Sequence, residues 1–191
     1  RGELCQPYEA FDYEEQRLDD FRRQKNGTVF LRAVRGNGVS QGSGAFISDQ
    51  GYILTCEHVI HGSNEIGVRS FNGSPETDRI WERGEVVWSD EAMDAAIVKV
   101  SEKKGIALPI ADVRYSEYSS RSGHPIYMFG FPFGGGRSDD VNKLNPSFAS
   151  GYVKAVQFKG GRDQIDVDIS AQQGCSGGPV FSKESGSIIG I

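Results

Sequence analysis

The sequence has little of what several functional classes require. Its 191 residues include three cysteines and three histidines, with no CxxC pair, so neither a disulfide framework nor a zinc cluster is indicated. No apolar run is long enough to span a bilayer. The formal net charge is −5, which argues against a basic surface for nucleic acid. We therefore expect no metal, no other cofactor, no nucleic-acid partner and no transmembrane segment.

The three cysteines are widely spaced, at Cys5, Cys56 and Cys175. An odd number at such spacing predicts reduced thiols, and Cys56 is expected to be a small buried hydrophobe. Reduced thiols mildly favour a cytoplasmic setting. A periplasmic or secreted location stays open, so the sequence leaves the localisation unknown.

Only one stretch has good helical periodicity. In Tyr8–Lys25, the side chains of Phe11, Leu18 and Phe21 fall near one face, and Asn26-Gly27 should end the helix. We expect an amphipathic N-terminal arm packed on the body of the protein, with a partner-binding helix as the alternative.

Glycine, in contrast, is abundant, at 25 residues. Many short apolar runs separated by turns predict an all-β protein with antiparallel pairing rather than βαβ units. The segment 130–136 is expected to be a surface loop, because no Gly-Lys-Ser/Thr follows its glycines. The expected strands are 28–35, 43–48, 52–56, 65–71, 79–88, 95–100, 148–158, 164–170, 180–181 and 187–191.

The most informative segment is Gly174-Cys175-Ser176-Gly177-Gly178-Pro179-Val180. Its glycines allow a sharp turn that leaves the serine hydroxyl accessible and can aim backbone N–H groups at one point. The alternative is a glycine-rich hairpin turn with an incidental serine. A catalytic serine needs a base, and the base needs an orienting group.

Candidates for both partners precede Ser176 in the chain. His58 follows directly on a buried strand, whereas His61 and His124 lie in polar, turn-like contexts and are expected on the surface. Asp94 opens the apolar run Ala95–Val100, where a buried carboxylate would need a partner.

The order His58, Asp94, Ser176 is that of chymotrypsin-like serine proteases. The local sequence motifs resemble those of the high-temperature-requirement (Deg-type) branch and of related bacterial trypsin-like peptidases. The resemblance covers the chain from Thr28 to its end and rests on four motifs: Gly42–Ile47, Gly51–His58, Asp94–Val100 and Gly174–Pro179.

The resemblance implies a fold of two six-stranded antiparallel β-barrels with the triad in the cleft between them. We expect an N-terminal helical arm at 1–27, a first barrel at 28–115 and an incomplete second barrel at 116–191. Family members continue beyond the equivalent of Ile191 with a strand that pairs with substrate, so an inactive chain is one expected outcome.

The resemblance also implies roles for individual residues. Ser176 would be the nucleophile, His58 the general base and then acid, and Asp94 the group that orients His58. The backbone N–H groups of Gly174 and Ser176 would form the oxyanion hole. Ser170 would lie near the base of the specificity pocket and favour small or apolar side chains, although a shifted alignment would put Asp168 there and favour basic ones.

One departure from the family concerns activation. Cys175 stands where animal digestive members have an aspartate that pairs with a newly cut N-terminus, so activation by that ion pair is not expected.

The sequence thus predicts a serine endopeptidase acting on polypeptides. An α/β-hydrolase is excluded, because no histidine follows Ser176 and helices are few. The alternative is a catalytically silent protease-fold scaffold or peptide-binding module. A further hypothesis is a domain of a larger protein, regulated by attached domains or partner proteins through the loop 133–145.

Overall fold

The structure is a computed structural model that describes residues 8–71, 81–101, 106–111, 121–132, 145–159 and 162–191. Helix α1 (Tyr8–Gly27) leads into a closed six-stranded barrel, and a five-stranded sheet follows. The predicted all-β architecture, with one N-terminal helix and an incomplete second barrel, is confirmed. No helix in these ranges has both the length and the apolar character needed to cross a membrane.

The barrel is antiparallel throughout, in the order β1-β2-β3-β6-β5-β4. Side chains alternate between the two faces of β1, as expected of a strand in a barrel wall. Val29, Leu31 and Ala33 point into the barrel interior, whereas Arg32 is exposed. A short helix, α2 (Glu57–Ile60), follows β3. The barrel strands are β1 (Thr28–Arg35), β2 (Gly38–Phe46), β3 (Tyr52–Thr55), β4 (Glu65–Arg69), β5 (Glu82–Asp90) and β6 (Ala95–Lys99).

The second sheet has the order β11-β10-β7-β8-β9 and, within the described residues, does not close into a barrel. Its third strand, β7, was missed from the sequence, because Pro125 and Gly130 bracket only four residues of extended pattern. The strands of this sheet are β7 (Pro125–Gly130), β8 (Ser147–Lys159), β9 (Arg162–Asp168), β10 (Val180–Ser182) and β11 (Ile188–Gly190).

A seam of aromatic side chains joins the barrel to the sheet. Phe30 from the outer face of β1 packs with Phe71 and Phe131, with ring centroids 4.9 to 5.7 Å apart for the two pairs that involve Phe131. The core of the sheet also includes Ala45 of β2 and Leu108. The second half of the molecule therefore completes its apolar core with residues from the first.

Helix α1 packs on the second sheet, as expected of an N-terminal arm. Its Phe21 ring lies 4.9 Å from the ring of Phe129, and Gln24 accepts a hydrogen bond from the Tyr127 hydroxyl at 2.6 Å. The predicted apolar face was wrong in one residue, since the Leu18 side chain is 63% exposed. The side chain of Phe11 lies outside the described residues.

The prediction for His124 was also wrong. Its ring is buried rather than on the surface, with Nε2 2.8 Å from the Ser182 hydroxyl of β10. Polar neighbours in sequence suggested exposure, but the pairing of β7 with β10 brings His124, which directly precedes β7, against Ser182. The predicted domain boundary at 115/116 and residues 133–144 of the predicted loop 133–145 lie outside the described residues.

Candidate active site

His58 is carried by α2, directly after the buried strand β3. Thr55 at the end of β3 is fully buried and its hydroxyl donates to the Ser43 carbonyl at 2.7 Å, which anchors the start of the helix. Val59 and Ile60 face the barrel core, so the neighbouring His58 projects outward and its side chain is 55% exposed. An exposed imidazole on a rigid support is accessible to a reactant.

Asp94 ends the turn between β5 and β6 and meets His58 from across the barrel rim. Its Oδ2 lies 2.8 Å from His58 Nδ1, and its Oδ1 accepts the backbone N–H of His58 at 2.9 Å. The backbone at Asp94 has φ +51°, a left-handed conformation that aspartate tolerates better than most residues. This contact favours the tautomer with the proton on Nδ1, which leaves Nε2 free to accept a proton.

The Asp94 carboxylate is less buried than expected. Its side chain is 42% exposed, because Asp94 is the last residue of the turn at 91–94, at the rim of the barrel. Its pairing with His58 was predicted, but the burial was not found.

Ser176 lies in a tight turn whose backbone is held by the barrel. Ser43 of β2 is fully buried, and its N–H donates to the Ser176 carbonyl while its hydroxyl donates to the Gly174 carbonyl, both at 2.8 Å. The same hydroxyl accepts the Phe131 N–H at 2.9 Å. Ser43 therefore connects three segments at the seam.

Gly177 must be glycine for two reasons. Its φ is +80°, and a Cβ there would overlap Thr55 Oγ1, the Ser43 carbonyl oxygen and the Cys56 nitrogen. The turn containing Ser176 can approach β3 and α2 only because this residue has no side chain.

The backbone N–H groups of Gly174 and Ser176 point to no acceptor within the described ranges. Gly174 has φ +98°, and the N–H of the intervening Cys175 donates to the Gln172 carbonyl at 3.0 Å. Two donors on alternate residues are thus left available to a ligand.

His58 and Ser176 line one cleft of about 470 Å³. Across the described part of the chain, the Ser176 hydroxyl makes no hydrogen bond to His58, a looseness common in unliganded sites. The lining residues are Val39, Ser40, Gln41, His58, Gln173, Gly174 and Ser176.

Cys56 lies beneath this site and was expected to be only a small hydrophobe. It is 8% exposed in the barrel core. Burial and, next, the charge of Asp94 raise the pKa of its thiol from the usual 9.0 to about 11. Cys56 and Cys175 are both free thiols.

Cys56, His58 and Asp94 each place a potential metal-ligand atom within 4.8 Å of the other two. The sequence did not suggest this group. His58 Nδ1 is hydrogen-bonded to Asp94, and the buried thiol keeps its proton. A metal ion would have to displace both protons, so the donor chemistry fits a hydrogen-bond network better than a metal centre.

The remaining candidates, Ser170, Asp168 and His61, are not among the residues that line this cleft. Ser170 is exposed, just after β9, and Asp168 ends that strand. His61 is exposed as predicted and contacts Glu57 Oε1 at 2.6 Å. Ser43 and Thr55 were missed as supports of the site, and the only sequence signal was their place within the glycine-rich and histidine motifs.

Several known sequences are similar to this chain. A family model described as trypsin-like peptidase domain matches residues 42–191. A probable periplasmic serine endoprotease, DegP-like, from Halomonas elongata is 35% identical over 156 residues, covering 80% of this chain and 29% of that protein. One from Hahella chejuensis is 29% identical over 178 residues, covering 93% and 34%. The chain spans about a third of the length of these relatives.

Several solved protein structures are also similar to this chain. The HtrA-type protease AlgW with tripeptide superimposes with a TM-score of 0.73 and 25% identity, covering 91% of this chain and 52% of that chain. The serine endoprotease from Yersinia pestis gives 0.70 and 26%, covering 99% and 58%.

Proposed function

Because this chain belongs to the trypsin-like peptidase domain family, we propose that it hydrolyses peptide bonds as a serine endopeptidase through Ser176, His58 and Asp94. The family membership confirms the resemblance predicted from the four sequence motifs. A catalytically silent scaffold is not favoured. One observation carries the proposal: His58 Nδ1 lies 2.8 Å from the Asp94 carboxylate, and the same imidazole shares a cleft with Ser176.

In the proposed first step, the Ser176 Oγ forms a bond to the carbonyl carbon of the scissile peptide while its proton passes to His58 Nε2. The C–N bond then breaks, and the leaving amine takes that proton. An acyl ester on Ser176 remains. Asp94 keeps the proton on Nδ1 and stabilises the imidazolium, so that Nε2 faces the hydroxyl.

The second step repeats the chemistry with water. Water gives a proton to His58 Nε2 and its oxygen attacks the acyl carbon. The ester bond breaks, Ser176 recovers the proton, and the carboxylic acid product leaves. No atom outside the protein, the peptide and water is needed.

The negative oxygen of each tetrahedral intermediate would lie at the N–H groups of Gly174 and Ser176. Their lack of an acceptor in the described ranges supports this role, because preorganised donors need no reorganisation as charge develops. Loss of one such donor in other proteases costs about 10²- to 10³-fold in rate.

Fluorophosphonate labelling tests the assignment. We expect the probe to attach to Ser176 in the wild type, and not in Ser176→Ala or His58→Ala. His61→Ala is the matched control, because His61 is an exposed histidine on the same segment that contacts only Glu57 among described residues, and it should label like the wild type. Labelling that survives Ser176→Ala, or none in folded wild-type protein, would contradict the proposal.

We further propose that Ser170 lies near the base of the specificity pocket. A neutral hydroxyl there favours small or apolar side chains before the cleaved bond. Ser170→Asp should increase cleavage after Lys and Arg in a peptide library, because a carboxylate pairs with a cationic side chain. Asp168→Asn is the control: if that variant alone changes the preference, Asp168 and not Ser170 lines the pocket.

The substrates are proposed to be polypeptides, and the solved relative AlgW was determined with a tripeptide. Regulation by attached domains or partner proteins is likewise a proposal, consistent with a chain that spans a third of its DegP-like relatives. Constitutive activity of the longest natural form, unaffected by peptides or partners, would argue against such regulation.

A further inference from the structure

We propose that residues 85–90, which we call the β5 edge, form a docking surface that binds an extended basic and apolar segment of another polypeptide as an added strand. This inference goes beyond the proposed function and does not depend on it. The β5 edge leads into the turn that ends at Asp94, and its residues are not among those that line the catalytic cleft.

The β5 edge has a neighbouring strand on one side only. β4 pairs with residues 82–84 of β5, whereas β6 pairs with residues 85–90. Among the described residues, no hydrogen bond reaches the backbone groups of residues 85–89 that point away from β6. A strand paired on one side presents such groups to solvent, where a further strand can pair with them.

The side chains of the β5 edge are apolar where a protected edge would be charged. Natural edge strands avoid further pairing with lysine, proline or inward-pointing charges. Here Val86, Val87 and Trp88 are consecutive and all exposed. Strict alternation would turn at least one of the three inward, but a bulge between Val86 and Trp88 interrupts it. The edge therefore offers a contact surface rather than a barrier.

A cavity beside the β5 edge can receive an apolar side chain. It has a volume of about 710 Å³ and opens between the start of β4 and residues 83–86 of β5. The buried residues Ile66 and Val100 line it together with Val86. Val86 pairs with the fully buried Val98, so both side chains lie on the same face. Val86 is nonetheless 40% exposed, which shows that the barrel wall is open beside it.

The charge around the β5 edge selects the partner. Lys99, opposite Glu85 on β6, is engaged within its own chain, since its Nζ donates to the Val100 carbonyl at 2.7 Å. A second copy of this edge would bring carboxylates against carboxylates, which is unfavourable. A basic segment of another polypeptide is complementary. Residues 82–91 carry one cationic side chain and four carboxylates: Arg83, Glu82, Glu85, Asp90 and Glu91.

An extended segment with alternating apolar and basic residues matches all three features. Its backbone would pair with the free side of β5, which is a common way for a sheet to bind a peptide. Successive side chains of a strand point to opposite faces. One set would therefore reach Val86 and the cavity, and the other would reach Glu85 and Glu91.

Hydrogen exchange followed by NMR tests where such a segment binds. The protein carries Ser176→Ala, so that the probe stays intact, and the probe is a capped octapeptide of alternating valine and lysine. We expect slower exchange of amide protons within residues 85–90, because strand pairing protects N–H groups. An octapeptide of alternating valine and glutamate is the charge control and should leave exchange unchanged. No slowing at residues 85–90 with the valine–lysine octapeptide overturns the proposal.

Three substitutions separate the β5 edge from other exposed strand positions. Val86→Lys places a like charge at the cavity and should weaken binding of the valine–lysine octapeptide about tenfold. Glu91→Lys, in the exposed turn, should weaken it about threefold, because one exposed charge pair is lost. Val156→Lys is the matched control, because Val156 is also 40% exposed on a strand but belongs to β8. It should bind like the parent protein.

The melting temperature of each variant checks that the barrel is intact, and Glu91→Lys decides the matter if Val86→Lys does not fold. Equal weakening in Val86→Lys and Val156→Lys, unchanged binding in Glu91→Lys, or equal binding of the two octapeptides would each contradict the proposal. A concentration-dependent dimer that protects residues 85–90 without any octapeptide would assign the edge to a second copy of the chain instead.

Discussion

The two halves of the molecule hold their catalytic residues in different ways. The barrel that carries His58 and Asp94 is closed, and thirteen buried residues of the described chain form its interior cluster. The sheet that carries Ser176 is open, and its cluster has five such residues, of which Ala45 belongs to the barrel.

This difference indicates which contacts hold each catalytic residue in position. The pair of His58 and Asp94 depends on contacts within one closed unit. Ser176 depends on contacts between units, because Ser43 of the barrel holds the backbone of its turn by hydrogen bonds and Gly177 packs closely against Thr55. The nucleophile is therefore the part of the site most sensitive to the seam, and substitutions can separate the two kinds of support.

The largest effect should come from breaking the pair within the barrel. Asp94→Asn should lower kcat by about 10⁴-fold, or about 5.5 kcal/mol in activation free energy, because the amide favours the wrong imidazole tautomer. The melting temperature should change little. Glu91→Gln, which removes one charge from the same exposed turn, is the control, and an equal loss there would show that net charge matters and not the contact.

The second-largest effect should come from disrupting the aromatic seam between the barrel and the sheet. Phe131→Ala should reduce the free energy of unfolding by about 4 kcal/mol, since a fully buried ring leaves a cavity between Phe30 and Phe71. Labelling of Ser176 per folded molecule should fall as well. Val98→Ala, inside the barrel, should cost stability but leave labelling intact. Chemical denaturation and probe labelling measure the two quantities.

Ser43→Ala should have the third-largest effect. It should reduce the free energy of unfolding by about 3 kcal/mol, because two buried backbone groups, the Gly174 carbonyl and the Phe131 N–H, lose their hydrogen-bond partner. The labelling rate should fall with it, as the Ser176 turn loses its link to β2. Ser48→Ala removes a hydroxyl that, among the described residues, accepts only from Gln50 at an exposed turn, and it should label at the wild-type rate. Equal rates in both variants would refute a role for Ser43 in placing the nucleophile.

The smallest effect concerns pH. Because the folded Cys56 pKa is raised from 9.0 to about 11, its stabilising contribution is complete below pH 9 and is lost as pH rises through 11. The contribution is about 2 kcal/mol. Denaturation of wild type and Cys56→Ala between pH 8 and 11 should therefore converge at high pH. Val98→Ala, which removes no titratable group from the same buried cluster, should run parallel to the wild type, and parallel curves for Cys56→Ala would contradict a raised Cys56 pKa.

Much of the fold was accessible from local pattern. The helix α1 and most strands followed from periodicity and glycine-containing turns, because the pattern of a single segment records which face is buried. The strand β7 was missed, since Pro125 and Gly130 leave too short a run to show alternation. Helix α1 packs through only part of the face that its pattern indicated, since Phe21 contacts the second sheet while Leu18 stays exposed.

The sequence by itself determined the chemistry: the serine between glycines, the histidine after a buried strand, and the aspartate before another. These are local features, and residue type and spacing express them. Only the tertiary structure decided what each group touches. The contact between His58 and Asp94, the burial of His124, the bridging by Ser43 and the close packing of Gly177 against β3 all join residues distant in sequence. They depend on barrel closure and on the seam, which no single stretch of sequence encodes.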